Sequence, residues 1–184
     1  RLILDFDATD DAVHGQQEGR FFHGYYDHYC FLPLYVFCGK QLLVSYLRPS
    51  KIDGAKHAWA VLALLVKRLR QTWPKVRILL RADAGFCRWK MLRWCERHDV
   101  DYLVGIALNA RLNAQAEPFL GAAEQHFHRT GRKQRRFHVM YYAAHSWDRR
   151  RRIIVKAEHM VQGNNPRYLV TNLKAQPQYL YDQL

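Results

Sequence analysis

Two short apolar runs, each finishing on an aspartate, constrain the fold of this chain more than any other feature. Leu2-Ile3-Leu4-Asp5-Phe6-Asp7 alternates, with Leu2, Leu4 and Phe6 on one face and Ile3, Asp5 and Asp7 on the other, which is the period of a half-buried strand. Val76, Ile78, Leu79 and Leu80 build a second strand over residues 75–81, which ends at Ala82-Asp83-Ala84-Gly85. Between the two lie a hairpin, residues 29–37 and 41–47 about Gly39-Lys40, and a helix over 55–73. In that helix Ala58, Leu62, Leu65 and Leu69 recur at helical spacing until Pro74 stops the pattern. A right-handed crossover allows strands so connected to pair side by side in parallel, which brings their terminal acids together.

A helix over 88–98 and a strand over 101–108 continue the order to βββαβαβ, which predicts an α/β fold with a mixed sheet and flanking helices. The composition then changes. A helix over 117–128 and a basic segment precede strands at 137–146 and 153–159; a last strand at 167–172 leads into a helix that starts near Leu184. The expected division is 1–108 as the first part of a core, 109–165 as a basic, partly β insertion, and 166–184 as the return to the core.

The chain has 184 residues with 29 Lys and Arg against 16 Asp and Glu, a net charge of +13, and that excess calls for an anionic partner. A hydrophobic share of 49% is ample for a core, so disorder is excluded as the main state. No apolar run approaches the ~18 residues of a membrane span. The chain opens on Arg1 and runs directly into a strand with no leader pattern, so it is expected to be a piece of a longer protein. Cys30, Cys38, Cys87 and Cys95 contain no Cys-x-x-Cys pair and are too sparse for a disulfide framework, which predicts a reducing, cytoplasmic setting.

Paired carboxylates at strand ends suit Mg²⁺ or Mn²⁺ and a two-metal phosphoryl-transfer site, with Asp7 and Asp83 as both the metal ligands and the catalytic acids. An Asp after a strand is equally a turn former or helix N-cap, and spacing alone leaves both readings open. Residues 129–152 hold nine cations, Arg129, Arg132, Lys133, Arg135, Arg136, Arg149, Arg150, Arg151 and Arg152, against the single acid Asp148. With Phe137, Tyr141, Tyr142 and Trp147 among them, they are the expected DNA contacts rather than a merely solvated turn, the cations on phosphates and Trp147 either on a base or in the core. Cys87 and Cys95 stand about two helical turns apart, and neither they nor His126-Phe127-His128 have zinc-finger spacing. His14, Gln16, Gln17 and Glu18 form a polar loop that lines an active site or simply faces water.

Six motifs taken in order carry a family likeness: Asp5-Phe6-Asp7-Ala8-Thr9, His14-Gly15-Gln16-Gln17-Glu18-Gly19, Leu47-Arg48-Pro49, Arg81-Ala82-Asp83-Ala84-Gly85-Phe86, Asp101-Tyr102-Leu103-Val104-Gly105, and Asn165-Pro166-Arg167-Tyr168-Leu169-Val170-Thr171-Asn172. The chain resembles the DDE transposases of bacterial insertion sequences, in the group whose third acid lies in a Tyr-Arg-Glu signature. The resemblance implies an RNase H-like fold with a β-rich insertion after the fifth core strand. It also implies two Mg²⁺ (or Mn²⁺) ions, transposon-end and target DNA as partners, and a homodimer assembled on DNA. The family's first aspartate falls on Asp7, with Asp5 in reserve, and its second on Asp83. Its third acid is expected beyond Asp182-Gln183-Leu184, and Glu158 is expected to be structural instead. The activity implied is cutting and joining of DNA at element ends, with the present chain inert by itself. A DNA-binding remnant without catalysis and an RNase H-like nuclease are the alternatives.

Overall fold

In the computed structural model, which describes residues 1–184, β1 (Leu2–Ala8) follows the alternation of its sequence: Leu4 and Phe6 are buried while Asp7 is exposed. The chain divides into two compact units, Arg1–Val100 and Asp101–Leu184. In the first unit, β2 (Asp11–Ala12), β3 (Phe21–His23) and β4 (His28–Phe31) make a small antiparallel sheet. The strands β5 (Leu34–Cys38), β6 (Gln41–Tyr46) and β7 (Ile78–Ala82) join β1 in the order β7-β1-β5-β6. Of these contacts only β1 with β7 is parallel. Gly39, at φ +60°, supplies the left-handed residue of the β5–β6 turn.

The sequence-expected strand over 29–37 is two strands in two sheets. Pro33, which has no N–H to give a ladder, stands at the break between β4 and β5. The small sheet around it escaped the sequence because strands of two to four residues carry too little period to read. Arg48, 1% exposed, fastens this region: its guanidinium donates to the carbonyls of Leu32 (2.8 Å), Gly54 (3.0 Å) and Lys56 (2.5 Å).

Helix α1 (Ala58–Thr72) buries Ala58, Leu62 and Val66 and begins three residues later than its periodicity indicates. Asp53 accepts from the Ala55 N–H and His57 takes a left-handed φ of 69°, so residues 53–57 turn before the helix can start. A 3₁₀ turn (Ala84–Phe86) precedes α2 (Trp89–Arg97), whose Met91, Leu92 and Cys95 are buried. Phe86 meets Phe6 edge to face at 6.2 Å, packing the turn against β1. All four cysteines are free, and burial pushes the Cys95 thiol up to about 12. No helix is long and apolar enough to cross a membrane.

The second unit holds β8 (Asp101–Gly105), α3 (Ala110–Thr130), β9 (Gln134–Tyr142), β10 (Arg151–Met160), β11 (Gly163–Asn164), β12 (Arg167–Thr171) and α4 (Pro177–Asp182). Helix α3 is seven residues longer at its start than the sequence indicates. Asn109 caps it by accepting from the Leu112 N–H at 2.9 Å, and Leu112, Ala116, Leu120 and Ala123 form one buried stripe that continues past Pro118. The strands are antiparallel: β12 lies between β8 and β10, and β9 covers the opposite edge of β10. Residues 134–160 therefore extend the sheet that contains β8.

Helix α4 lies against the face of β9 that carries Arg135 and Phe137, whereas α3 lies against the face that carries His138 and Tyr142. Glu158 is buried in an ionic cluster on the first of these faces. Its carboxylate accepts from Lys133 and Lys156, each at 2.9 Å, and from Asn165 at 2.9 Å. Burial alone would raise this carboxyl, but the two ammonium groups outweigh it and lower it from 4.5 to about 2. A group so lowered stabilises the fold above pH 4.5 and gives that stability up as pH falls toward about 2. Glu158→Gln, which leaves Lys156 buried without its counter-charge, is expected to cost about 3 kcal/mol in urea unfolding at pH 7. The variant should also lose the part of the acid limb that Glu158 supplies.

Candidate functional site

The parallel pairing of β1 with β7 sets Leu2 beside Ile78, Leu4 beside Leu80, Asp5 beside Arg81 and Phe6 beside Ala82. Asp7 and Asp83 each come one residue after the last of these pairs, Asp83 just beyond the end of β7. Residues two apart along a strand share a face, so Asp5 and Asp7 stand on the face of β1 opposite Leu4 and Phe6, and Arg81 lies on that face of β7 two residues before Asp83. Both Asp7 and Asp83 are exposed. Asp83 keeps an extended backbone at the end of β7, and its Oδ1 accepts from the Gly85 N–H at 2.9 Å, capping the 3₁₀ turn. The N-cap role that the sequence leaves open is thus real, and it aims the carboxylate. A Cβ at Gly85 would stand 3.0 Å from that oxygen, which is why glycine fits there.

Asp5 is engaged differently. Arg81 grips it through two bonds, Nε to Oδ1 and Nη2 to Oδ2 (2.8 Å), a bidentate pair that raises the guanidinium above its ordinary range. This pair ties β1 to β7 one step behind Asp7 and Asp83. The residues present fit a divalent, oxygen-preferring cation in kind: two exposed carboxylates near the ends of adjacent parallel strands, with the Asp5 carboxylate already paired to Arg81. The loop with His14, Gln16, Gln17 and Glu18 is exposed.

The cations of residues 129–152 do not form one patch. They fall at the two ends of the β9–β10 hairpin, which at ~3.4 Å per residue are about 27 Å apart. At one end Arg129, Arg132 and Arg136 are exposed, while Lys133 pairs with Glu158 and Arg135 holds Asp182 of α4 and packs over the Phe137 and Tyr181 rings. At the other end Arg149 and Arg150 are exposed, the latter donating to the Tyr141 carbonyl at 2.8 Å. Arg151 is 3% exposed, paired with Asp148 at 2.9 Å and stacked over Trp147. Arg152 donates to the Leu173 and Ala175 carbonyls. Trp147 is half-buried with its edge on Tyr142 at 5.8 Å.

Two further basic features escape a reading by charge runs, because their members are spaced along helices. Arg111 lies over the Tyr142 ring and so joins the end of the hairpin that carries Arg149 and Arg150. In the first unit Lys90, Arg93, Trp94, Arg97 and His98 line, with Trp59 of α1, a cleft of about 420 Å³. The 90, 93/94, 97 spacing is the signal that was available.

A mixed sheet with helices is an architecture similar to that of a transposase catalytic domain. The solved structure of the piggyBac transposase, in its synaptic complex with hairpin DNA, superimposes on 95% of this chain and 34% of that one with a TM-score of 0.52 at 13% identity. The chain thus spans about a third of that relative. Comparison with curated proteins gives no match. The model of the family "Transposase DDE domain group 1" matches residues 1–184, and the chain belongs to that family.

The burial of Arg151 separates it from its exposed neighbours. Arg151→Ala is expected to cost about 3 kcal/mol by urea unfolding, whereas Arg149→Ala and Arg150→Ala stay within about 0.5 kcal/mol of the parent.

Proposed function

We propose that this chain is the greater part of the catalytic core of a DNA transposase, in which Asp7 and Asp83 supply two of the metal-binding carboxylates. The observation that supports the reading is the parallel register of β1 and β7, whose last pair, Phe6 with Ala82, stands one residue before each of these two acids. Family membership over residues 1–184 supports it independently. When bound, Mg²⁺ or Mn²⁺ held by Asp7 and Asp83 supplies charge stabilisation to an in-line displacement at phosphorus.

The chain's own residues do the positioning. The Gly85 N–H holds Asp83 in place, and the Asp5–Arg81 pair stops the two strands sliding. Arg81 and Asp5 offset one another's charge in the bidentate pair. A third carboxylate completes the set in the parent protein; Glu158 is not that group, since both its oxygens serve Lys133, Lys156 and Asn165. DNA is the anionic partner that the net charge of +13 calls for. Arg129, Arg132, Arg136, Arg149 and Arg150 present charge to its phosphates. Lys133, Arg135, Arg151 and Arg152 serve mainly to hold the hairpin that displays them. Assembly on DNA as a homodimer, and work on insertion-sequence ends in a bacterial cytoplasm, belong to the same proposal.

Two measurements test the reading. In the parent protein carrying its natural C-terminal continuation, Mg²⁺-dependent cleavage of element-end DNA is expected to fall about a thousandfold in Asp83→Asn. Such a loss corresponds to several kcal/mol of charge stabilisation, and undiminished cleavage would make Asp83 a turn residue only. In an anisotropy titration with duplex DNA, joint replacement of Arg132, Arg136, Arg149 and Arg150 by Ala should flatten the salt dependence of binding. Each lost phosphate contact lowers the slope by about 0.9, and an unchanged slope would move the DNA surface elsewhere.

A further inference from the structure

Glu158 and His159 are neighbours on β10 and point to opposite faces of the sheet. Glu158 belongs to the ionic cluster beside α4. His159, 5% exposed, turns toward α3, where Phe127 packs on its ring at 4.9 Å and the His128 ring lies 5.7 Å away. Glu124 and His128 sit one helical turn apart on α3, with His128 Nε2 and Glu124 Oε1 at 3.8 Å. One ligand atom from each of Glu124, His128 and His159 lies within 4.8 Å of the other two.

We propose that Glu124, His128 and His159 form a zinc-type metal site that clamps the C-terminal end of α3 to β10. Four features support it. The donors, two imidazoles and one carboxylate, are those of Zn²⁺ sites that keep a fourth position for water, and differ in kind from the oxygen-only acids Asp7 and Asp83. Asn164 orients the His159 ring: its Oδ1 lies 2.7 Å from His159 Nδ1, a contact that suits the tautomer with Nδ1–H and Nε2 as the ligating atom. Asn164 is itself placed by the ladder, directly across from His159 in the β10–β11 pairing. The fixed member is the buried one, while Glu124 and His128 are long or exposed side chains on a rigid helix. They have the freedom to close from 4.8 Å to the spacing set by metal–ligand bonds of about 2.0–2.2 Å.

Such an ion has a structural consequence. Arg129 follows His128 directly, α3 ends at Gly131, and Arg132, Lys133, Arg135 and Arg136 come next. Clamping His128 to His159 fixes the root of one of the two cationic ends of the β9–β10 hairpin. The site is separate from the proposed catalytic acids and stands or falls without them.

The experiment uses the whole chain, freed of metal by a chelator and titrated with Zn²⁺ by calorimetry, alongside Asp7→Asn/Asp83→Asn, His128→Gln and Asn164→Ala. Wild type and the double aspartate variant are expected to bind one equivalent with the same affinity. His128→Gln, an exposed change that leaves the fold alone, should bind at least about tenfold more weakly, and Asn164→Ala about tenfold more weakly through loss of the partner that orients His159. Zn²⁺ should raise the unfolding temperature of wild type but not of His128→Gln. Absence of a saturable equivalent, binding unchanged in His128→Gln, or binding lost in the double aspartate variant would each overturn the proposal.

Discussion

The parallel contact between β1 and β7 is the constraint on which the first unit depends. A parallel pair cannot be closed by a tight turn, so the chain has to leave β1, complete the β5–β6 meander and α1, and return in the same direction. The pair is held by apolar burial on one face, Leu4 and Phe6 beside Leu80, and by the bidentate Asp5–Arg81 bridge on the other. A slip of one residue would turn Asp7 toward the apolar face and break the bridge at once. The register that buries Leu4, Phe6 and Leu80 is therefore also the register that sets the ends of β1 and β7, from which Asp7 and Asp83 follow the last pair, at one level.

Much of this arrangement was legible because it rests on local pattern. The alternation in residues 2–7, the Gly39 hairpin and the 3.6-residue spacing in α1 are all short-range signals, and the acids could be placed because they sit at the ends of such elements. What was illegible depends on partners distant in sequence. Pro33 divides a continuous β-prone run between two sheets, which only the pairing of β4 with β2 and β3 reveals. The cap at Asn109 starts α3 well before the stretch whose composition looks helical. The run of cations at 129–152 reads as one feature along the chain, yet a strand on either side of the hairpin separates its halves.

That separation bears on how charge is used. An arginine offered to phosphate has to remain exposed, and one that stiffens the scaffold has to be buried and paired; the two roles exclude each other in a single side chain. Arg149 and Arg150 are exposed, whereas Arg151 is buried and Arg152 half-buried, although the four are consecutive. Arg151 turns into Trp147 and Asp148, and Arg152 reaches two backbone carbonyls. Composition counts all four alike; Arg149 and Arg150 precede β10, whereas Arg151 and Arg152 begin it and are held by the groups packed on the strand.

The period of β10, which sends successive residues to opposite faces, gives it two different jobs. On one face Lys156 and Glu158 build a buried ionic cluster that reaches Lys133 and, through Arg135 and Tyr181, the short helix α4. On the other, His159 meets the end of α3. Both contacts converge on the connection between α3 and β9, residues 129–136, from opposite faces of one strand. A loop with so many like charges repels itself and gains no core of its own, so its conformation has to be imposed by what it is tied to. Lys133 to Glu158 ties its middle and Arg135 to Asp182 ties its far end. At the near end, where the helix is capped at Gly131, Gln134 donates to Thr130 Oγ1 at 3.2 Å and to the Arg132 carbonyl at 2.7 Å, and Phe127 packs on His159; an ion joining His128 to His159 would add to these ties.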